Sequence, residues 1–314
     1  MDEPDRVLRR LKLSDLRMLE AVAQRGSMAR AASHLNISQP AVSKAIGALE
    51  QTLNVRLFDR TPTGVEPTIY GQALLNGGNT VFDELRQSVK QIRHMADPSA
   101  GVIRIGCNQP HSGGFAAVVI ERIRRRQPGV RFQLEEADTV TLKQRELRGR
   151  KADMILVRSP IPCPESDMEA EPLFNDQLRV VVGTDNPWAR RRTVHLRDLA
   201  GEDWAIPPYE SVVGALIREA FLASGAELPE PAVTSHSINM MVNILKSGRY
   251  IGIMPDSLLR FRARELGLKV LPAALPHRPS TVAILTLKNR TLSPLAKTFI
   301  AAARELAQPM AGST

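Results

Sequence analysis

This 314-residue chain is poor in cysteine and in aromatic side chains, with two cysteines and 4% Phe, Trp and Tyr. Cys107 and Cys163 stand 56 residues apart, which is neither a metal-ligand spacing nor a disulfide framework. They read as a small buried hydrophobe and a loop thiol. No run of 18 apolar residues occurs, so no membrane span is expected. The opening MDEPDRVLRRLKLSD lacks the apolar stretch of a signal peptide, which makes the cytoplasm the expected compartment. Enzyme signatures are missing too. His34, His94, His111, His195, His236 and His277 form neither HxH nor HExxH, and no GxSxG, Walker A loop or GxGxxG after a strand is present. Acidic residues are scattered, so paired-carboxylate chemistry has no anchor. No catalytic residue, metal site or cofactor is expected.

What is present suits a globular protein of two or three domains, with 43% hydrophobic and 24% charged residues. The formal net charge is +9, but residues 1–97 hold 13 Lys/Arg against 11 Asp/Glu, and the remainder 29 against 22. The basic excess therefore lies outside the N-terminal third. Arg124–Arg126 and Arg190–Arg192 read as solvated faces rather than a second nucleic-acid site.

The most informative stretch is Ser27–Glu50, SMARAASHLNISQPAVSKAIGALE. Met28, Ala31, Ala32 and Leu35 form one helical stripe, with Ser27 as N-cap and Asn36 as the turn that ends it. A second helix starts with Ser38 as N-cap and Pro40 in its first turn. Its inward face is Val42, Ile46 and Leu49, with Ala41, Ala45 and Ala48 for close packing. Its other face carries Ser38, Gln39, Ser43 and Lys44. Gln39 can make a bidentate contact to an adenine edge, and the others reach bases or phosphates. The stretch reads as a helix-turn-helix with its recognition helix, with an ordinary helical hairpin and a solvated face as the other reading until the flanks are added. A preceding helix offers Leu16, Leu19, Val22 and Ala23 behind Ser14 as cap. LFDRTPTGVEPTIYG (57–71) supplies two short extended pieces about a Pro62–Gly64 turn, a wing that sets Arg60, Thr61 and Thr63 beside DNA. Ser27, Arg30 and Arg56 add backbone contacts. The expected DNA-binding set is Ser27, Arg30, Ser38, Gln39, Pro40, Ser43, Lys44, Arg56, Arg60 and Thr61.

AVAQRGSMARAASHLNISQPAVSKAIGALEQTLNVRLFDR and GVEPTIYG together resemble the winged helix-turn-helix of LysR-type transcriptional regulators. PLFNDQLRVVVGTDNPWA, LRDLAGEDWAIPP and GRYIGIMPDSLL extend the resemblance over nearly the whole chain. WAIPPYES with GRYIGIMP leans toward the branch similar to galactose-binding-protein and protocatechuate-type regulators. From Ile69 to Met95 the pattern is one helix of roughly 27 residues, ~40 Å long. Its stripe of Val81, Leu85, Val89 and Ile92 suits antiparallel pairing with a second subunit, and Gly77–Gly78 predicts a kink. The resemblance implies the same dimerising role, a tetramer as dimer of dimers, and RNA polymerase as a further partner. It also offers a redox-sensor pair as the alternative reading of the two cysteines.

From Val102 strands and helices alternate: strands at 102–107, 130–136 and 152–157, with helices at Phe115–Arg126 and Val140–Arg148, make a parallel α/β unit. A second unit has strands at 178–184, 232–236 and 250–255, a segment at 204–208, and helices Val213–Ser224 and Ile238–Lys246. A strand at 281–287 and a helix Pro294–Leu306 return to the first unit. Two such lobes enclose a cleft, as in periplasmic binding proteins, and the resemblance implies the same architecture for the effector domain. Strand ends and helix starts would line it: Asn108, Gln109, His111, Ser112, Asp138, Thr139, Arg158, Ser159, Ser211, Ser235, His236 and Ser237. Amides, hydroxyls and an imidazole favour a sugar or small carboxylate.

The expectation is an α/β chain with an N-terminal winged helix-turn-helix (11–68, helix-turn-helix 28–47), a linker helix (69–96) and a two-lobed effector domain (102–308). Lobe I covers about 102–158 and 276–308, and lobe II about 173–254. The expected function is transcription regulation by a small-molecule effector. The alternative is a cytoplasmic solute-sensing module whose N-terminal helices dock a protein.

Overall fold

The computed structural model describes residues 7–62, 64–276 and 280–311. Thr63, expected at the wing tip, and His277 lie outside the described residues. The chain divides into two compact units, Met1–Val89 and Lys90–Thr314.

The first unit begins with helices α1 (Leu13–Arg25), α2 (Met28–Leu35) and α3 (Gln39–Leu53). Each stops at a left-handed residue: Gly26 at φ 65°, Asn36 at 55° and Asn54 at 52°. Leu19, Val22, Ala31, Ala32, Val42, Ile46, Leu49 and Leu57 form the core. Strands β1 (Phe58–Thr61) and β2 (Gly64–Pro67) pair antiparallel as a wing. Three bonds hold the wing down. Leu57 N–H donates to Glu50 at 2.8 Å, Val65 N–H to the Gly26 carbonyl at 3.0 Å, and Thr68 Oγ1 to the Arg56 carbonyl at 2.7 Å.

Several expected details are corrected. Ser14 does not cap α1; Lys12 occupies the cap position, and the Ser14 hydroxyl turns to Asp15 at 3.3 Å. Ser27 and Ser38 do stand at cap positions, but neither side chain accepts a backbone N–H. Ala41 and Ala48 are exposed, so close packing of α3 rests on Val42, Ile46 and Leu49.

Helix α4 (Ile69–Ala96) is unbroken through Gly77–Gly78, so the glycines do not interrupt its hydrogen bonding. Leu75 and Phe82 are buried, while Val81, Leu85, Val89 and Ile92 are exposed; Leu85 and Val89 continue the side of the helix on which Phe82 lies.

The second unit holds two five-stranded mixed sheets. Lobe I has the order β4-β3-β5-β12-β6, from β3 (Ala100–Cys107), β4 (Gly129–Glu136), β5 (Met154–Arg158), β6 (Met168–Asp176) and β12 (Ser280–Leu287). Lobe II has the order β11-β7-β10-β8-β9, from β7 (Leu178–Gly183), β8 (Trp204–Ile206), β9 (Pro231–Thr234), β10 (Ile251–Pro255) and β11 (Leu268–Val270). Helices α5 (Ala117–Arg126) and α9 (Pro294–Ala311) cover one face of the first sheet, burying Val119, Ile123 and Phe299. Helix α6 (Val212–Ser224) covers one face of the second sheet. Helices α7 (Ile238–Lys246) and α8 (Asp256–Arg262) cover the other.

Neither lobe is purely parallel. β12 runs antiparallel to both β5 and β6, and β7 antiparallel to β10. The expected lobe boundary also shifts. Leu173–Asp176 belongs to lobe I, because β6 pairs with β12 along its whole length. The chain crosses at Gln177, and lobe II extends through β11 rather than ending at Met254. Phe115 and Val140–Arg148 are not plain α-helix: π-helical turns occupy Ser112–Ala116 and Leu142–Leu147.

Candidate functional site

On the N-terminal unit, the start of α3 presents Ser38, Gln39, Pro40 and Lys44 to solvent, with Ser43 half-buried beside them. Gln39 Nε2 lies 3.4 Å from Ser43 Oγ, a contact too long to restrain the amide. Directly behind this face, Val42, Ile46 and Leu49 are buried. The face is therefore polar, rigidly backed and free to touch a partner. Arg56 and Arg60 are exposed before and on β1, Thr61 is half-buried, and Asp59 is exposed between the two arginines. Ser27 is half-buried at the start of α2. Arg30 is exposed and lines a shallow depression with Arg25 and His34, whose side chains meet at 2.9 Å.

The second unit sorts the expected cleft residues into three groups. Asn108, Gln109 and Thr139 stand at the strand mouths of lobe I. Asn108 Nδ2 donates to the Ala137 carbonyl at 2.9 Å, and Thr139 Oγ1 to Asn108 Oδ1 at 3.4 Å. Gln109 Oε1 accepts from Ile238 N–H at 3.0 Å, across the lobes. β4 stops at Glu136, as expected, two residues before Asp138. Asp138 caps the next turn through Thr141 N–H at 3.0 Å.

A second group is turned to structure. Ser211 caps α6, accepting from Gly214 N–H at 3.0 Å and donating to the Pro208 carbonyl at 2.7 Å. Ser235 accepts from Ser237 N–H at 3.1 Å, and Ser237 accepts from Met240 N–H at 3.3 Å. Ser159 is buried, 3.9 Å from the Cys163 sulfur, and that thiol donates to Glu165 at 3.1 Å. Ser112 is buried, donates to Glu136, and lies against the Gln109 carbonyl. His236 is exposed. Burial, with Glu136 adding to it, pushes the Cys107 thiol up to about 12, so this cysteine stays a neutral core residue at ordinary pH.

The third group is a buried polar knot where the lobes join. Arg158 ends β5 and reaches Asp176, the last residue of β6, at 2.6 Å. Ser257 on α8 of lobe II donates to the same carboxylate through its N–H at 2.9 Å and its hydroxyl at 2.8 Å. His111 is 1% exposed, with Nε2 3.6 Å from Asp176 Oδ2 and neither ring nitrogen hydrogen-bonded. Burial holds the imidazole below the usual histidine range, against the pull of Asp176. Burial also opposes ionisation of Asp176, but the Arg158 guanidinium and the Ser257 N–H outweigh it and hold the carboxyl at about 2.

Two family models match. The description "Bacterial regulatory helix-turn-helix protein, lysR family" covers residues 13–72, and "LysR substrate binding domain" covers residues 96–308. This chain belongs to the LysR family of transcriptional regulators. It is a DNA-binding regulator with an effector-binding domain, not an enzyme, and members of the family bind DNA and small-molecule effectors and oligomerise. That sets aside the sensing-module alternative. The chain is 27% identical over 289 residues to the transcriptional dual regulator GltC of Bacillus subtilis (strain 168), covering 92% of this chain and 95% of GltC. It is 26% identical over 296 residues to the regulator GbpR of Azospirillum brasilense, covering 94% and 86%. These near-equal identities do not favour one branch. In fold it is similar to a full-length OxyR variant from Pseudomonas aeruginosa, with TM-score 0.68, 22% identity, and 97% and 99% coverage.

Asp176 and Ser257 are the residues of this LysR-family chain that the sequence left unmarked. Asp176 is one of many scattered acids, and only its place at the end of a strand that abuts lobe II singles it out. Among the described residues no helix is long and apolar enough to cross a membrane.

Proposed function

We propose that this regulator reads its operator with α3 and responds to a sugar or small carboxylate held between the two lobes. The observation that carries the DNA reading is the exposed face of Ser38, Gln39 and Lys44 on a helix anchored by buried Val42, Ile46 and Leu49. Gln39, Ser38 and Ser43 enter the major groove, with Pro40 fixing the helix start and Lys44 reaching a phosphate at the groove edge. Ser27, Arg30, Arg56, Arg60 and Thr61 meet the sugar-phosphate backbone. The working division is 11–68 for DNA binding, 69–96 for subunit pairing and 102–308 for the effector.

The exposed stripe of Val81, Leu85, Val89 and Ile92 supports pairing of two α4 helices. A dimer binds two half-sites, and a dimer of dimers lengthens the operator. RNA polymerase is the downstream partner, and the cytoplasm the compartment. Asn108, Gln109, Thr139 and His236 remain the side chains best placed for an effector. Arg158 and His111 act at the lobe junction. Ser112, Ser159, Ser211 and Ser235 shape the walls through internal bonds. The effector acts by binding one lobe arrangement better than another, which changes how subunits sit on DNA.

The test is a mobility shift on the DNA upstream of the protein's own gene, with a panel of sugars and of aromatic and aliphatic acids. Sequence-selective binding altered by one compound supports the whole reading. Selective binding that no compound alters removes the sugar-or-carboxylate proposal. No selective binding at low salt removes the assigned operator role.

A further inference from the structure

The lobe I loop from Asn108 to Ala116 meets lobe II at two points, in two different ways. At one, Gly114 and Ser257 pack backbone against backbone: a Cβ on Gly114 would stand 2.9 Å from the Ser257 carbonyl oxygen. Arg262 Nη1 donates to the Gly113 carbonyl there at 3.2 Å. Asp176 binds Ser257 through both its N–H and its hydroxyl, in a buried setting. Such a contact resists shear, because separating it strands a buried carboxylate. At the other point, one neutral side-chain bond spans the lobes, from Ile238 N–H to Gln109 Oε1 at 3.0 Å.

We infer that Gln109 is a latch between the lobes, released when they swing about the fixed contact of Gly114, Ser257 and Asp176. The inference rests on the interlobe cleft being the effector site. Ile238 is the first residue of α7, so its N–H has no acceptor within its own helix. Neighbouring donors at that end are satisfied locally: Ser237 N–H by Ser235, and Met240 and Met241 N–H by Ser237. The Ile238 N–H is instead completed by a side chain from the opposite lobe. A ligand that takes the Ile238 N–H, or that draws the Gln109 amide away to itself, must first part them. A net hydrogen bond of ordinary strength sets the toll at about two- to tenfold in the lobe equilibrium.

The latch also makes Gln109 a specificity element. Compounds that merely fill space leave the bond intact, whereas those that supply an oxygen or N–H to either partner compensate for breaking it. A glutamate at this position offers a charged acceptor to the positive end of α7 and tightens the latch.

The test is amide hydrogen exchange at Ile238 in the full-length protein, for wild type, Gln109→Ala and Gln109→Glu. The Ile238 amide is expected to be protected in wild type, to exchange at least twofold faster in Gln109→Ala, and to be no faster than wild type in Gln109→Glu. Amides of β7 serve as the control for general loosening. If they rise in the alanine variant, the glutamate variant decides, and retained protection there supports the latch. An unprotected Ile238 in wild type, or equal rates in wild type and Gln109→Ala, overturns it. This readout uses the protein alone, whereas the effector reading stands or falls on the compound panel, so the two failures are distinguishable.

Discussion

Arg158 Nη2 meets Asp176 Oδ2 at 2.6 Å, the end of one lobe I strand gripping the end of another at the point where the chain leaves for lobe II. Asp176 is buried and Arg158 mostly so, with 1% and 10% of their side-chain surface exposed. Removing one charge from such a pair leaves the other without compensation, at about 3–5 kcal/mol. Asp176→Asn keeps the shape and removes the charge. Denaturant unfolding of the variant is expected to show a loss of that order. A loss below about 1 kcal/mol would mean that the junction is solvated and that Arg158 is not committed to it.

The same knot makes stability fall with acid, in two successive windows. His111 is depressed in the folded protein by burial, so below its unfolded value of about 6.5 the unfolded chain takes a proton that the folded chain refuses. Stability therefore declines as pH drops from about 6.5. Asp176 sits at about 2 folded against 3.8 unfolded, so its contribution is present above 3.8 and is lost as pH falls toward about 2. That shift corresponds to roughly 2 kcal/mol. Urea midpoints measured between pH 7.5 and 5 report the first window. His111→Gln is expected to flatten it, and a wild type already flat there would exclude a buried neutral imidazole.

The helix-turn-helix was legible because its information is local. Residues three and four apart share a face, and Asn36 marks its own turn. The lobe boundary was not. β6 carries Glu169, Glu171 and Asn175, which disguise it as a loop, and its partner β12 lies over a hundred residues further along the chain. The three strands read as a parallel unit, β3, β4 and β5, do pair in parallel; the sheet is mixed because β12, from far along the chain, adds antiparallel to β5 and β6. Among cleft residues, the sequence located Gln109 at a strand mouth correctly. It gave no sign that the amide would reach Ile238, or that Ser211 would spend its hydroxyl on Gly214 and Pro208.

Gln39 and Lys44 share an exposed face but are expected to fail differently. Gln39→Ala removes a base contact and should lower discrimination between operator and mutated operator by about 1–3 kcal/mol, while changing non-specific binding little. Lys44→Gln removes a phosphate charge. It should weaken all duplexes alike and reduce the slope of log affinity against log salt by about 0.9. Equal losses on specific and random DNA for Gln39→Ala would rule it out as a base reader.

Gly64 permits the wing to dock. It holds φ 150°, and a Cβ there would lie 2.1 Å from the Gly26 carbonyl oxygen, which is already bonded to Val65 N–H. Gly64→Ala combines backbone strain with a clash against backbone, a cost of about 1–3 kcal/mol. Amide exchange at Val65 should rise, and operator affinity should fall because Arg60 and Thr61 lose their footing. Unchanged exchange at Val65 would show that the wing adjusts without leaving α1.

Leu85 tests subunit pairing. It is 46% exposed in the middle of the stripe formed by Val81, Val89 and Ile92, one turn beyond buried Phe82 on the same side of α4 and outside the buried cluster of the N-terminal unit. Leu85→Glu leaves the chain's own core untouched, so the unfolding midpoint of the N-terminal unit should hold. In a paired assembly the same change buries two carboxylates against apolar side chains. Desolvation of unpaired charge is then expected to weaken association at least tenfold, about 1.4 kcal/mol or more. Sedimentation velocity over a dilution series reads the shift toward monomer, and operator binding should lose its dependence on two half-sites together with it. If the mass distribution matches wild type at every concentration, α4 does not pair through this stripe.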